Sequence, residues 1–146
     1  MSKLTDAVAR VMASAAIAKG QTFEAEIAPD IFVEGQLEAL MMVVRNLLDN
    51  AIRYTPAGGE VGVGLDRLDH GSVVLRVFDT GPGVPAERQR AMFDRFVRLS
   101  SSEAGSGLGL SIVERIVTRH NGEIAVANRE PHGLSVTVTL PAPRGA

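Results

Sequence analysis

The 146-residue sequence contains no cysteine, which excludes disulfides and thiolate metal sites and is compatible with a reducing compartment. An excess of positive charge is also missing. Against 15 Lys and Arg stand 17 Asp and Glu, a formal net charge of −2, so the balance offers no basic surface for nucleic acid. No apolar run approaches the roughly 18–20 residues that cross a bilayer, and Met1-Ser2-Lys3 does not open a signal-peptide pattern. The segment is therefore expected to be soluble and to make no direct membrane contact. Internal repeats and low-complexity tracts are absent too. What is present is 45% hydrophobic residues, in a length that suits one globular domain with a real core.

Leu4, Val8, Val11, Met12 and Ala15 recur at helical spacing, and Lys19-Gly20 supplies a closing cation and a C-cap glycine. Phe23–Ile27 alternates as a short strand. From about Gln36 to Tyr54 the pattern predicts a strong helix with Leu37, Leu40, Met41, Val44, Leu48 and Ala51 inward, and Asn46, Asn50 and Arg53 on the opposite face. Thr55-Pro56-Ala57-Gly58-Gly59 breaks it. Strands Glu60–Asp66 and Val73–Asp79 follow, separated by a polar turn at Asp69-His70-Gly71, and the second is apolar enough to be central. A short helix from Ala86 to Phe93 and a Ser- and Gly-rich loop over Ser100–Gly107 come next. A helix from about Leu108 to His120 places Leu108, Ile112, Val113, Ile116 and Val117 inward, and Asn121-Gly122 ends it. Glu123–Asn128 and Gly133–Leu140 complete the set as strands. The expected fold is an α/β two-layer sandwich: a mixed, mostly antiparallel sheet with about three helices on one face. Residues 1–20 are a domain edge or the remnant of a linker, and 21–146 form the main domain.

Four clusters carry residue types suited to nucleotide chemistry. Asn46 and Asn50, one turn apart, present amide oxygens suited to a hard Mg²⁺ ion that keeps water and phosphate ligands, and Arg53 lies within reach of phosphate oxygens. Asp79, at the end of an apolar strand and before Gly81-Pro82-Gly83, can accept a hydrogen bond from an exocyclic amine such as that of adenine. The glycines let a flat base approach the backbone. Gly105-Ser106-Gly107-Leu108-Gly109-Leu110 runs into a helix, whose N-terminal amides favour phosphate. It is not a Walker loop, since no Gly-Lys-Ser/Thr follows. In Phe93-Asp94-Arg95-Phe96-Val97-Arg98 the aromatic pair packs inward, and Arg98 stands at the edge of the loop. Taken singly, each cluster has a plainer explanation: a solvated helix face, a turn formed by an Asp before a Gly-Pro-Gly stretch, a loose glycine pattern, a surface arginine.

Together and in this order, the clusters resemble the N, G1, F and G2 boxes of sensor histidine kinases, within the GHKL ATPase superfamily, over roughly Phe23 to Leu140. Asn46–Pro56 matches the N box, Asp79–Gly83 the G1 box, Phe93–Phe96 the F box and Gly105–Leu110 the G2 box. The resemblance implies the Bergerat ATP-binding fold, with ATP and Mg²⁺ as cofactors. Asn50 would coordinate Mg²⁺, with Asn46 near the metal and phosphates and Arg53 on a phosphate. Tyr54 would pack on base or ribose, and Asp79 would hold the adenine amine between Gly81 and Gly83. Gly105, Ser106, Gly107, Leu108 and Gly109 would form the ATP lid, and Arg98 would touch the γ-phosphate.

Gyrase, MutL and related hydrolases carry a glutamate one turn before the metal-binding asparagine. Here that place is Asn46, whose amide cannot take a proton. The family's phosphorylated histidine precedes an acid and a nearby proline. His70, His120 and His132 do not, so they are expected to be structural or surface residues, with His120 a cation at its helix end. The implied partner is therefore a histidine-bearing dimerisation domain of the same parent, with a response regulator acting further on. The implied location is cytoplasmic, in the cytoplasmic portion of a membrane-bound sensor. Two alternatives share the same boxes: a self-sufficient GHKL ATPase and a non-catalytic nucleotide sensor.

Overall fold

Nine elements are set out in order along residues 1–89 and 109–143, the part of the chain that the computed structural model describes. They are α1 (Ser2–Ala18), β1 (Thr22–Ile27), α2 (Leu37–Tyr54), β2 (Glu60–Arg67), β3 (Val73–Asp79), the single turn α3 (Ala86–Gln89), α4 (Gly109–Arg119), β4 (Glu123–Asn128) and β5 (Leu134–Leu140). The expected helix residues beyond Gln89, the Phe93–Arg98 cluster and Gly105, Ser106, Gly107 and Leu108 lie outside the described residues. Among the described residues, no helix is long and apolar enough to cross a membrane.

One sheet carries the strands in the order β1-β2-β3-β5-β4. β1 pairs with β2 in parallel, as the intervening α2 requires, and the other pairings are antiparallel. The apolar strand Val73–Asp79 is the central one, as its composition predicts. Side chains alternate across the pleat, so Val61, Val63 and Leu65 of β2 share the inner face with Leu75 and Val77 of β3 and Val136 and Val138 of β5. Helices α1, α2 and α4 lie on that face, with α2 between the other two. The result is the expected two-layer α/β sandwich. Leu47, Leu48, Val44 and Val113 are almost wholly buried at the centre, where truncating one leucine costs about 2–5 kcal/mol.

The inward faces differ from the sequence expectation in detail. Leu37 is 62% exposed and Met41 is also open, while Val43, Leu47 and Ile52 are buried. The reason is that α2, flanked on both sides, buries a wide arc rather than a stripe. Leu37 stands in its first turn, beyond that cover. In α1, Val11 is 71% exposed and Ala15 points outward, whereas Thr5, Val8, Ala9, Met12 and Ala16 are buried. Small residues here let α1 lie close against its neighbours.

Helix ends follow local chemistry. After α1, Gly20 takes φ +86° while Gly20 N–H donates to Ile17 C=O and Gln21 N–H to Ala16 C=O, a Schellman motif. After α4 the same pair of bonds forms, but Asn121 takes the left-handed position at φ +60°. Gly122 is needed instead for space, since a Cβ there would lie 2.5 Å from Thr139 C=O. The end of α2 is capped from a distance. Lys19 Nζ donates to the carbonyls of Ile52 and Arg53 (both 2.9 Å), and Gln21 Nε2 to those of Ile52 and Thr55 (2.8 and 2.6 Å). A cation and an amide thus satisfy carbonyls that the helix leaves open.

His120 joins two helices. Gln36 N–H, at the start of α2, donates to its Nε2 (3.2 Å), and its Nδ1 stands 2.8 Å from Ile116 C=O. The ring ties the end of α4 to the beginning of α2.

Candidate functional site

The polar side of α2 ends against the loop that follows β3. Asn46, Asn50 and Tyr54 succeed one another at one-turn spacing, and all three are half-buried. Among the described residues the Asn46 and Asn50 carboxamides have no hydrogen-bond partner. Arg53 pairs with Asp49 one turn back (Nη2 to Oδ2, 2.8 Å). Thr55 adopts the extended conformation that Pro56 imposes, which ends the helix and turns the chain towards β2.

Asp79 sits at the C-terminal end of β3 with 6% of its surface exposed. Burial raises its carboxyl pKa above the ordinary value. Hydrogen bonds from the backbone N–H groups of Gly81 and Leu134 and the charge of Arg129 act in the opposite sense. The Gly81 N–H bond to Oδ1 is 2.8 Å long. Gly81 is confined by space: a Cβ would lie 2.8 Å from the carbonyl oxygen of Tyr54 and 3.4 Å from Thr55 Oγ1. Gly83 is confined by conformation as well as space, with φ +76° and Asn128 Oδ1 2.8 Å from where its Cβ would stand.

The structure thus brings Asp79, Gly81 and the Tyr54 end of α2 together, with Asn46 and Asn50 further along the same helix. Gly109 opens α4. Arg98 and Gly105–Leu108 lie outside the described residues, so their relation to this site is not described.

Several residues at the site were not singled out in the sequence. Thr55 Oγ1 is buried beside Gly81 with no hydrogen-bond partner among the described residues, a polar atom that a bound molecule can satisfy. Thr80 Oγ1 accepts from Glu60 N–H (2.8 Å), fixing the loop to β2. From the end of β4 and the turn that follows it come Asn128, Arg129 and His132, whose Nδ1 stands 3.3 Å from Gly81 C=O. The Asp79-Thr80-Gly81-Pro82-Gly83 pattern with a threonine ending the helix hints at Thr55. Nothing local marks the turn residues.

A buried carboxylate beside glycine-tight backbone lies at one end of a helix whose Asn46 and Asn50 amides have no hydrogen-bond partner among the described residues. Sequence comparison agrees with that geometry. Residues 35–144 match the family described as histidine kinase-, DNA gyrase B- and HSP90-like ATPase. The chain belongs to that ATP-binding family. Within it, the chain is a catalytic domain of the two-component histidine-kinase type, as its relatives indicate. The signal transduction histidine-protein kinase/phosphatase MprB of Mycolicibacterium smegmatis is 43% identical over 118 residues, covering 77% of this chain and 24% of that protein. The chain therefore spans about a quarter of the length of that relative. The solved mycobacterial sensor histidine kinase MprB superposes with a TM-score of 0.88 at 34% identity, covering 98% of this chain and 96% of that one. Full-length ShkA in complex with AMPPNP gives a TM-score of 0.85 at 29% identity, covering 99% of this chain and 31% of that one.

Proposed function

We propose that this domain binds Mg-ATP and presents its γ-phosphate to a histidine on a separate dimerisation domain of the same parent protein. The observation that carries the reading is the buried Asp79 carboxylate, held at the end of β3 against the Tyr54 end of α2. In this arrangement Asp79 accepts the adenine amine, Gly81 and Gly83 bound the base, and Tyr54 packs on base or ribose. The phosphates then extend along α2 towards Asn50 and Asn46. ShkA's complex with AMPPNP, an ATP analogue, supports a nucleotide in this fold.

Among the described residues, no group of three or more His, Cys, Asp or Glu can hold a metal ion alone. The unpartnered amides of Asn46 and Asn50 fit Mg²⁺, a hard ion that takes a few protein oxygens and fills its shell with water and phosphate. When bound, the ion supplies charge neutralisation on the phosphates. Arg53 adds a cation near the phosphates, Arg98 contacts the γ-phosphate, and Gly105, Ser106, Gly107, Leu108 and Gly109 offer backbone amides to the phosphates.

Transfer breaks the bond between the β,γ-bridging oxygen and the γ-phosphorus and forms a phosphorus–nitrogen bond to the incoming imidazole. ADP leaves and the imidazole gives up its proton. Asn46 cannot act as a base, so the site holds the nucleotide without activating water. We place α1 within the same unit, the parent in the two-component pathway upstream of a response regulator, and this domain on the cytoplasmic side.

Calorimetry on the 146-residue chain tests the first half: ATP binding that strengthens with Mg²⁺, with the Mg²⁺ dependence lost in Asn50→Ala. Adding a phosphoacceptor domain in trans tests the second, with phosphohistidine as the product. Rapid steady-state ATP hydrolysis by the chain alone would identify a self-sufficient ATPase instead. Tight binding without transfer to any acceptor would identify a nucleotide sensor.

A further inference from the structure

The β4–β5 turn lies behind the nucleotide-facing side of the Asp79 loop, and its side chains tie that loop down along its length. Asn128 exchanges two hydrogen bonds with the backbone of Val84: its Oδ1 accepts from Val84 N–H (2.9 Å) and its Nδ2 donates to Val84 C=O (2.8 Å). One carboxamide thereby does what a paired residue does in an antiparallel ladder. Arg129 donates from Nη1 to Asp79 C=O (3.1 Å) while its guanidinium lies 4.6 Å from the centre of the Phe78 ring. That ring is itself plated onto Gly62, where no Cβ could fit beneath it. Gly133 closes the packing, since a Cβ there would overlap the Asp79 carbonyl.

We infer that Asn128 and Arg129 are positioning residues for base recognition: they fix the main chain at both ends of the Asp79–Val84 loop, and so set where the Asp79 carboxylate meets the exocyclic amine of adenine. The inference rests on the reading of Asp79 given above. Neither residue touches the base. Asn128 is too exposed to be a core requirement, and Arg129 is half-buried on the outer side of the sheet. A recognition geometry depends on such supporting contacts, because a displaced carboxylate still folds but no longer discriminates.

The test compares ATP with inosine triphosphate, which carries a carbonyl where adenine carries the amine. Titrations use the wild-type chain, Asn128→Ala, Arg129→Gln and Arg129→Lys. The first two variants should weaken ATP binding about fivefold to tenfold, the loss expected from one or two hydrogen bonds. Affinity for inosine triphosphate should stay within about twofold, because it does not use that contact. Arg129→Lys, which keeps a donor for Asp79 C=O, should recover part of the ATP preference.

Wild-type binding that does not prefer ATP would overturn the assignment of Asp79 itself. A wild-type preference kept intact in both Asn128→Ala and Arg129→Gln would overturn only this inference. Equal losses for the two nucleotides would overturn it as well, by showing a general effect on the fold. Should Asn128→Ala fail to fold, the two Arg129 variants decide the matter alone.

Discussion

At the Asp79 end of the site the main chain is tied to a distant hairpin and to β2, whereas at the Asn46–Asn50 end two carboxamides stand without a partner among the described residues. The difference separates two kinds of recognition. A base must be told from other bases, and that needs a carboxylate whose position is settled before the ligand arrives. Phosphates and a metal ion are recognised by charge and by oxygen donors that adjust around them. On the proposed function, the ordering cost at one end is met during folding, and at the other during binding.

The sharpest way to break this contrast is Asp79→Asn. Loss of a charged acceptor should weaken ATP binding about tenfold to a hundredfold. The ligand-free domain should lose no thermal stability at neutral pH. Asp79 has a folded-state pKa raised by burial, so its favourable contribution is complete below the ordinary carboxylate pKa and disappears as pH rises through the folded value. At neutral pH the variant should thus melt at or above the wild type, and the two should converge as the pH falls below the ordinary range. A thermal scan across pH, with unchanged ATP affinity or a gap that widens in acid, would refute the assignment.

A middle-sized effect is expected where α1 supports α2. Lys19→Met removes two bonds to the last carbonyls of that helix and should cost about 1 kcal/mol, or roughly 3–5 °C in Tm. Nucleotide affinity should fall less than in Asp79→Asn. The smallest effect belongs to Asp49→Ala. Its pairing with Arg53 is partly exposed, with side chains 47% and 27% accessible, so denaturant unfolding should shift by no more than about 0.5 kcal/mol. ATP affinity should be no weaker in this variant. A weaker affinity for ATP in this variant would mean that the pair itself orients Arg53.

Layers, strand order of hydrophobicity and helix ends were legible in the sequence because local chemistry decides them. Pro56 stops α2, Gly20 and Asn121 take left-handed conformations, and a strand apolar but for Arg76 and Asp79 makes β3 central. The inward faces were legible only in part. Helical periodicity locates a stripe, but Val43, Leu47 and Ile52 are buried because α1 and α4 flank α2, and no pattern within α2 reveals its neighbours. Asp79, Asn46 and Asn50 stood out by type and spacing. Asn128 and Arg129 did not, because they act on residues 44 and 50 positions away. The bond between Gln36 N–H and His120 was illegible for the same reason, since Gln36 stands at the start of another helix.

The supports of α1 have a mechanical meaning. At one end Ser2 bonds to Ala28 C=O and Ile31 N–H, and at the other Lys19 and Gln21 grip the carbonyls of Ile52, Arg53 and Thr55. The helix is a strut fastened at both ends and lying alongside α2. A push along it is delivered to the turn that carries Tyr54, so the wall of the proposed base pocket is also the point where this strut bears.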